Sequence, residues 1–312
     1  TVLSGNPFCY SDTNKRYHTL AYANKRQGVT VYKAVIDAGF SCPNMDDRRG
    51  RGGCIYCAHG GGYFTAAPLS VAEQIRRELL RIRRQHPQAQ AIAYFQAYTN
   101  TYAPVERLRI LYEEALAEEG IVGLSIATRA DALPPEVVAY LATLRQQTRL
   151  TVELGLQTVH DQTAALIQRG HDFGQFRQAY RALKQQGIRV VVHLINGLPG
   201  ENLQMMVQSA RVVAALRPDG LKLHLLHVLQ DTLLAEWYRQ GCYQPLTLAE
   251  YVEIVIRQLE LLPPETIIER ITGDGDKAVL VAPWWSCHKL KVLSEIDRRM
   301  RELDTWQGKL WQ

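Results

Sequence analysis

The chain is organised around one loop that reads GFSCPN at residues 39–44 and GGCIYC at residues 52–57. Three of its six cysteines, Cys42, Cys54 and Cys57, lie in this loop with the spacing C-x11-C-x2-C. The surrounding glycines and proline disfavour regular secondary structure. Two thiolates at C-x2-C can bind one metal centre, and a third can fold back to join them. A closed structural zinc site normally has four ligands, so three ligands favour a cluster with one open iron.

The loop resembles that of the radical S-adenosylmethionine (SAM) superfamily, and within it a bacterial family with a wide first gap between the cysteines. The stretches Cys42-Pro43-Asn44 and Arg51-Gly52-Gly53-Cys54 carry the likeness, which extends over about residues 15–300. The resemblance implies that the three cysteines bind one [4Fe-4S] cluster and that SAM chelates its fourth iron. Tyr56 directly precedes Cys57, where its ring could lie beside the cluster and against a planar ligand.

Two other metal sites are compatible with parts of this loop. His59 could complete a Cys3His zinc site with the three cysteines, and C-x2-C alone favours zinc about as much as iron. A c-type haem is disfavoured because Ala58, not histidine, follows the second cysteine of the C-x2-C pair. The motifs further along the chain favour the cluster. Cys9, Cys242 and Cys287 are isolated, so we expect one cluster only.

Composition indicates a soluble globular protein, and the use of its cysteines indicates the reducing cytoplasm. Of 312 residues, 46% are hydrophobic and 21% are charged, which is typical of globular proteins. No apolar run approaches the ~20 residues of a membrane helix, and residues 1–17 lack an apolar signal core. Clustered cysteines in such a chain favour metal binding over disulfides. We therefore expect no membrane partner.

The charge distribution indicates a polyanionic partner only weakly. The net charge is +5 and the isoelectric point about 8.8. Basic residues cluster in the cysteine loop and on one predicted helix: Arg48, Arg49, Arg51, Arg76, Arg77, Arg81, Arg83 and Arg84. A solvated helix face is the favoured explanation of the helix cluster, whereas the loop arginines border the predicted site and could equally contact nucleic acid or cofactor.

Hydrophobic periodicity predicts six strands that alternate with helices. The predicted strands are residues 29–37, 91–95, 121–127, 150–155, 190–195 and 220–226. This order favours parallel βα units, arranged as a barrel or as an open doubly wound sheet. The resemblance favours an α/β fold, a partial (β/α)6 TIM-like barrel of the radical SAM type with N- and C-terminal extensions. We expect a basic arm at 1–28, the barrel at 29–262 and a C-terminal extension at 263–312 that packs on it.

Polar residues at strand ends form the predicted SAM pocket. Gln96 stands where many superfamily members have a Gly-Gly-Glu segment, although the glycines are missing here. A buried carboxylate can accept hydrogen bonds from ribose, and an arginine can bind a carboxylate through two bonds. The resemblance assigns Glu153 to ribose, Gln157 and Arg169 to the pocket, and the turn at Asn196-Gly197 to adenine. The alternative for Arg169 is a helix-capping role.

The predicted substrate residues lie on the sixth strand. Strand alternation puts Lys222 and His224 on one face, which points inward if the barrel is correct. We interpret both as candidate catalytic residues, with core packing as the alternative. The segments around Glu153 and His193 are similar to those of the Elongator catalytic subunit.

The resemblance implies a specific chemistry and set of partners. An electron from a reductant such as flavodoxin or ferredoxin would enter the cluster and cleave SAM to methionine and a 5′-deoxyadenosyl radical, which abstracts hydrogen. The Elongator likeness implies tRNA as partner and the C5 side chain of the wobble uridine as substrate, for example carboxymethylaminomethyl-uridine converted to aminomethyl-uridine. A small metabolite or tetrapyrrole is the alternative substrate, and a zinc-stabilised RNA-binding protein is the non-enzyme alternative.

Overall fold

The computed structural model describes residues 6–28, 30–46, 52–58, 69–273 and 276–312. In those ranges helices and strands alternate over most of the chain. The strands are β1 (Val31–Ile36), β2 (Gln90–Phe95), β3 (Ile121–Arg129), β4 (Arg149–Gln157), β5 (Arg189–Asn196), β6 (Gly220–Leu225), β7 (Val228–Leu229), β8 (Ile267–Arg270) and β9 (Leu280–Ala282). The helices are α1 (Leu20–Arg26), α2 (Val71–Arg83), α3 (Val105–Leu116), α4 (Pro135–Gln147), α5 (Asp161–Leu166), α6 (Phe173–Gln185), α7 (Leu203–Ala215), α8 (Leu233–Arg239), α9 (Leu248–Leu261) and α10 (Lys289–Glu302).

The strands follow chain order along a seven-stranded sheet, β1-β2-β3-β4-β5-β6-β8. The pairs β1–β2, β2–β3, β3–β4 and β6–β8 are parallel. Strands β7 and β9 pair antiparallel in a separate two-stranded sheet. Parallel strands joined through helices confirm the α/β class, and β8 adds one strand to the six that periodicity predicts.

The chain forms two compact units. One consists of Gly28–Leu156 and Arg169–Val191 and carries the cysteines of the loop; we call it the cysteine unit. The other consists of Thr1–Gln27, Gln157–Gln168 and Val192–Gln312 and contains both chain ends; we call it the terminal unit. The arm, barrel and extension boundaries expected from the sequence stay a prediction.

In the cysteine unit, buried strands support helices with one apolar face. Helix α2 begins with a capping box, in which the Ser70 hydroxyl accepts from the Glu73 amide and the Glu73 carboxylate accepts from the Ser70 amide. Ile75 and Leu79 on its inner face are buried. The inner strands β2, β3 and β4 present mostly buried side chains. This packing places the carboxyl ends of β1 to β4 at one edge of the parallel sheet, where polar loops follow.

In the terminal unit, the first residues are tied to the last ones. The Ile268 amide donates to the His18 carbonyl at 2.8 Å, and the Gln307 amide donates to the Arg16 carbonyl at 2.9 Å. Arg16 also forms an ion pair with Asp304 at 2.9 Å. Residues 1–28 were expected to be an arm without periodic structure; instead Leu20–Arg26 is a helix capped by Thr19. Its seven residues are too few for periodicity to reveal.

None of the helices in the described ranges is long and apolar enough to cross a bilayer.

Candidate cluster and cofactor site

The two cysteine-bearing segments of the loop are joined by backbone hydrogen bonds. Cys42 opens a turn whose carbonyl accepts from Met45 at 2.8 Å, and the Cys57 amide closes a second turn onto the Cys54 carbonyl at 3.0 Å. The Gly53 amide donates to the Asn44 carbonyl at 3.0 Å, which links the two turns. Gly53 has a φ of +97°, and a Cβ there would lie 2.7 Å from the Met45 sulfur. Glycine is therefore required directly before Cys54.

Asn44 is the polar centre of this loop. Its side chain is fully buried. The amide nitrogen Nδ2 donates to the Cys54 sulfur at 3.4 Å and to the Arg169 carbonyl at 3.0 Å. The oxygen Oδ1 accepts from Arg129 Nη2 at 3.2 Å. One side chain therefore connects a candidate cluster ligand to the segment after α5.

Arg129, the last residue of β3, brings a positive charge to the same place. It forms a bidentate pair with the buried carboxylate of Asp131, at 3.0 and 2.9 Å, and donates to the Arg169 carbonyl at 2.6 Å. Burial disfavours this charge, but the Asp131 pair and the nearby Cys42 and Cys54 sulfurs outweigh it and raise the Arg129 pKa. The guanidinium is therefore a permanent cation beside the thiols.

The thiols of Cys54 and Cys57 form a hydrogen-bonded pair. The Cys57 thiol lowers the pKa of Cys54 to about 6, with further lowering from Arg129, Asn44 and Tyr56 against the effect of burial. The same bond, with burial and the Cys54 charge, raises the pKa of Cys57 well above its usual value. Near neutral pH the Cys54 sulfur is therefore a thiolate, and the thiolate is the form of cysteine that binds metals.

The donor set suits a cluster that carries negative charge. Three thiols, a permanent cation and an amide donor to sulfur are the groups that hold and tune such a centre. Within the described ranges, no three His, Cys, Asp or Glu side chains lie close enough to share one metal ion. In a cluster each cysteine binds a different iron, so the ligands need not meet at one point. Arg48, Arg49, Arg51 and His59 lie outside the described residues.

Arg169 lies against the same loop. It is 1% exposed; its Nε donates to the His171 carbonyl at 2.9 Å and its Nη1 to the Leu156 carbonyl. The helix that follows, α6, is capped by Asp172 and Gln175 instead. Gly170 allows the close approach, because at a φ of +87° its Cβ would lie 2.4 Å from Asn44 Oδ1. The predicted contact of Arg169 with SAM stays a prediction.

Glu153 in β4 is a buried carboxylate that accepts three hydrogen bonds. Lys33 Nζ and Ser125 Oγ donate to Oε1 at 2.7 and 2.9 Å, and the Tyr94 hydroxyl donates to Oε2 at 2.9 Å. Lys33 also lies 4.5 Å from the centre of the Tyr94 ring. These donors fix the position of the carboxylate within the cysteine unit. Its predicted role towards ribose is untested.

The remaining predicted pocket residues lie at strand ends. Gln96 directly follows β2, and its amide donates to the Ile36 carbonyl at 3.3 Å. Gln157 ends β4 with a φ of +65°, which is uncommon for a residue with a side chain. Tyr56 hydrogen-bonds to Cys54, and burial raises its pKa well above the usual value. The phenol therefore stays protonated beside the thiols.

Asn196 and Gly197 form a rigid turn within the terminal unit. The Asn196 side chain exchanges two hydrogen bonds with Gln258 of α9, both at 2.8 Å. Gly197 has a φ of +88°, and its carbonyl accepts from the Tyr243 hydroxyl at 2.8 Å. The side-chain amide of Asn196 is thus already hydrogen-bonded to Gln258. A ligand at this turn would therefore contact mainly its backbone.

Lys222 and His224 lie two positions apart in β6, so they share one side of the strand. Lys222 is 5% exposed and His224 is half-buried. The rings of His224 and His193 of β5 lie 5.1 Å apart between centroids. The structure therefore adds His193 to this polar group, and contact with a substrate stays a prediction.

Several basic residues of α2 and of the first 28 residues are engaged in ion pairs. Arg76 of α2 makes two hydrogen bonds to Glu118, at 2.9 and 2.7 Å, and Arg81 pairs with Glu78 at 2.9 Å. Within the terminal unit, Lys15 pairs with Asp297 and Lys25 with Asp12. Arg77 of α2 and Arg84, which directly follows this helix, are exposed, and they remain the candidates here.

Asn44, Arg129 and Gln258 belong to the candidate site, although the sequence indicated a role for none of them. Asn44 follows Cys-Pro and Arg129 ends a strand, which are the available signals. Gln258 interrupts the buried face of α9, where an apolar residue would be expected.

Comparison with known proteins identifies the class. Residues 48–213 match the family model of the radical SAM superfamily, and residues 218–302 match that of the Radical_SAM C-terminal domain. The first match covers more than half of the chain, so this protein belongs to the radical SAM superfamily and is an enzyme of that class. Its members typically bind a [4Fe-4S] cluster and SAM.

Three curated relatives show how far the likeness extends. Uncharacterized protein YtqA of Bacillus subtilis is 45% identical over 314 residues, 100% of this chain and 98% of that protein. A tRNA uridine(34) acetyltransferase of Dehalococcoides mccartyi is 31% identical over 51% of this chain and 34% of its own length. Human Elongator complex protein 3 is 32% identical over 49% of this chain and 28% of its length. The expected Elongator likeness is confirmed over about half the chain.

A solved structure confirms the fold. Elp3 of the archaeon Methanocaldococcus infernus superposes with a TM-score of 0.68 at 19% identity, over 89% of this chain and 65% of that one. The likeness confirms the expected TIM-like radical SAM fold.

Proposed function

We propose that this protein binds one [4Fe-4S] cluster through Cys42, Cys54 and Cys57, binds SAM beside it, and modifies the C5 side chain of the wobble uridine in tRNA. The observation that supports the cofactor assignment most directly is the side chain of Asn44. It joins the Cys54 sulfur to the Arg169 carbonyl, so the candidate cluster ligands and a candidate SAM-binding segment form one hydrogen-bonded site.

The bound cofactors supply reductive cleavage of SAM and a 5′-deoxyadenosyl radical. The residues of the chain bind, orient and shield them. The three thiolates hold the cluster, and the Arg129 cation offsets part of its negative charge. The Glu153 carboxylate is fixed by Lys33, Ser125 and Tyr94, so it offers a rigid acceptor rather than a mobile one. Asn44 and Arg169 are buried, so the polar contacts that they make are shielded from water.

The tRNA assignment is supported by the relatives. About half of the chain is similar to a tRNA uridine(34) acetyltransferase and to Elongator complex protein 3. The similar part covers 34% and 28% of the length of those two proteins. We propose that this chain remodels a C5 side chain that is already present.

Nucleoside analysis tests the proposal. tRNA from a strain that lacks the protein is incubated anaerobically with the reconstituted enzyme, SAM and dithionite, then digested and analysed by mass spectrometry. We expect 5′-deoxyadenosine and a mass change confined to the wobble nucleoside. A Cys54→Ala variant should produce neither, and a Cys242→Ala variant, altered at an exposed cysteine, should match wild type.

Other outcomes separate the alternatives. 5′-Deoxyadenosine without any change in tRNA nucleosides would contradict the tRNA assignment and favour a small-molecule substrate. A colourless protein that contains zinc and no iron would contradict the whole proposal, because iron–sulfur clusters absorb visible light.

A further inference from the structure

Two adjacent tryptophans of the terminal unit face opposite environments. Both lie in a short 3-10 turn, Trp284–Cys287, that precedes α10. The Trp285 indole donates to the Leu246 carbonyl at 3.0 Å, and its ring lies 5.5 Å from that of Tyr251. The Trp284 side chain is 57% exposed. One tryptophan therefore anchors the turn and the other is presented to solvent.

The turn is fixed next to the segment that follows β5. Leu246, which accepts the Trp285 hydrogen bond, packs within 3.2 Å of where a Cβ of Gly197 would stand. The Tyr243 hydroxyl binds the Gly197 carbonyl from the same segment. The turn that carries Trp284 is thus joined through Trp285 and Leu246 to the Asn196-Gly197 turn, which the family resemblance assigns to adenine. A rigid exposed aromatic ring loses little entropy when it contacts a partner.

Basic side chains follow Trp284 in the sequence. Residues 283–294 contain His288, Lys289 and Lys291 and no aspartate or glutamate. All three are exposed, and Leu290 between the lysines is 81% exposed. We call Trp284, His288, Lys289, Leu290 and Lys291 the tryptophan edge. Large exposed apolar side chains that adjoin cations are typical of surfaces that bind single-stranded nucleic acid.

We infer that the tryptophan edge binds an unpaired segment of RNA, with Trp284 stacked on a base and Lys291 near a phosphate. The inference rests on the proposed function, because it names the surface by which the tRNA substrate is held. A duplex conceals its base faces, whereas an anticodon loop offers unstacked bases to an aromatic ring. A protein partner would favour an uncharged apolar patch, and the cationic residues of the edge favour RNA.

Equilibrium binding of a fluorescently labelled tRNA to the reconstituted full-length enzyme tests the inference. Trp284→Ala should weaken binding about 5- to 150-fold, the range that one stacked base contributes. Trp284→Tyr should retain most of the affinity, because a phenol ring also stacks. Lys291→Ala should lower the salt dependence of log K by about 0.7 units, the value for one phosphate of a single strand. Ile110→Ala, at another apolar side chain that is 66% exposed, is the matched control.

Two readouts separate this inference from the proposed function. Cluster content and SAM-dependent 5′-deoxyadenosine formation without tRNA should be unchanged in every variant, which shows that the proteins are folded and loaded. Wild-type binding with an unchanged Trp284→Ala variant would overturn the tryptophan edge alone and leave tRNA as substrate; the exposed ring would then fit a protein partner better. Failure of wild type to bind any tRNA would overturn both.

Discussion

The side-chain amide of Asn44 donates a hydrogen bond to the carbonyl oxygen of Arg169 at 3.0 Å, across 125 residues of sequence. The same nitrogen lies 3.4 Å from the Cys54 sulfur. The cysteine loop and the candidate SAM-binding segment therefore share one hydrogen-bond donor, the Asn44 amide. A substitution at Asn44 should affect both.

Substitution Asn44→Ala should lower the free energy of unfolding by about 1–3 kcal/mol, because it leaves buried polar partners unsatisfied. It should also lower the reduction potential of the reconstituted cluster, since a donor to a sulfur ligand stabilises the reduced state. Urea unfolding and a redox titration followed by electron paramagnetic resonance measure the two effects. Asn44→Asp keeps the acceptor for Arg129 but loses the donor, so it should lower the potential as well. An unchanged potential in both variants would remove Asn44 from the cluster environment.

Substitution of Cys42, Cys54 or Cys57 by alanine should each remove most iron and sulfide from the reconstituted protein, because a site with three protein ligands has no substitute ligand. Iron and sulfide analysis with visible absorbance measures the loss. Cys9→Ala and Cys242→Ala, at exposed cysteines, are the controls and should keep wild-type content. A full cluster in Cys42→Ala would show that the first ligand is misassigned.

Substitution Arg169→Ala should weaken SAM binding by about 1.5–3 kcal/mol if the guanidinium makes a charge-assisted bond to SAM. It also removes donors from the Leu156 and His171 carbonyls, so stability must be measured in parallel. Calorimetric titration with SAM under anaerobic conditions gives the affinity. A loss of stability with unchanged SAM affinity would restrict Arg169 to a structural role.

His171 should make stability depend on pH. Burial, assisted by the positive charge of Arg169, lowers the His171 pKa to about 4, whereas an unfolded histidine has a pKa of about 6.5. Well above pH ~6.5 neither the folded nor the unfolded chain binds this proton, so His171 does not lower the free energy of unfolding there. As the pH falls towards about 4, the His171 imidazole binds a proton in the unfolded chain but not in the folded chain. The free energy of unfolding therefore decreases.

Between pH 7 and pH 5.5, protonation of His171 in the unfolded chain should lower the free energy of unfolding by about 1 kcal/mol. Urea unfolding of wild type and His171→Gln at both pH values measures it, and the variant should lack that part of the loss. Identical pH dependence in the two proteins would contradict the assignment.

The basic surface of α2 can be tested by salt dependence. Arg77 and Arg84 are exposed, whereas Arg76 is paired with Glu118. If α2 contacts tRNA, Arg77→Ala and Arg84→Ala should each reduce the slope of log K against log salt by about one unit. Arg76→Ala is the paired control and should change it less. Equal slopes in all three variants and wild type would exclude α2 from the RNA surface.

Local sequence signals predicted much of this protein. The strands from β1 to β6 occur where period-2 or apolar runs indicated them, and a local pattern, the capping box of Ser70 and Glu73, begins α2. The spacing of Cys42, Cys54 and Cys57 was sufficient to suggest the superfamily. These features depend on residues a few positions apart, so they can be read along the chain.

Short or irregular elements were not predicted. Helix α1 has seven residues, and strand β8 has four and depends on pairing with β6. Such segments carry too little periodicity of their own, because their stability comes from tertiary contacts.

The partners of individual side chains were decided only by the tertiary structure. Nothing near Asn44 in sequence indicates Arg129 or Arg169, and nothing in the Trp284-Trp285 pair indicates which ring is buried. Hydrogen bonds and burial of this kind join residues brought together by the fold, over separations of 85 and 125 residues for Asn44. The sequence by itself indicated the class of protein through the spacing of its cysteines. Folding determined which side chains surround those cysteines, because that depends on distances in space rather than along the chain.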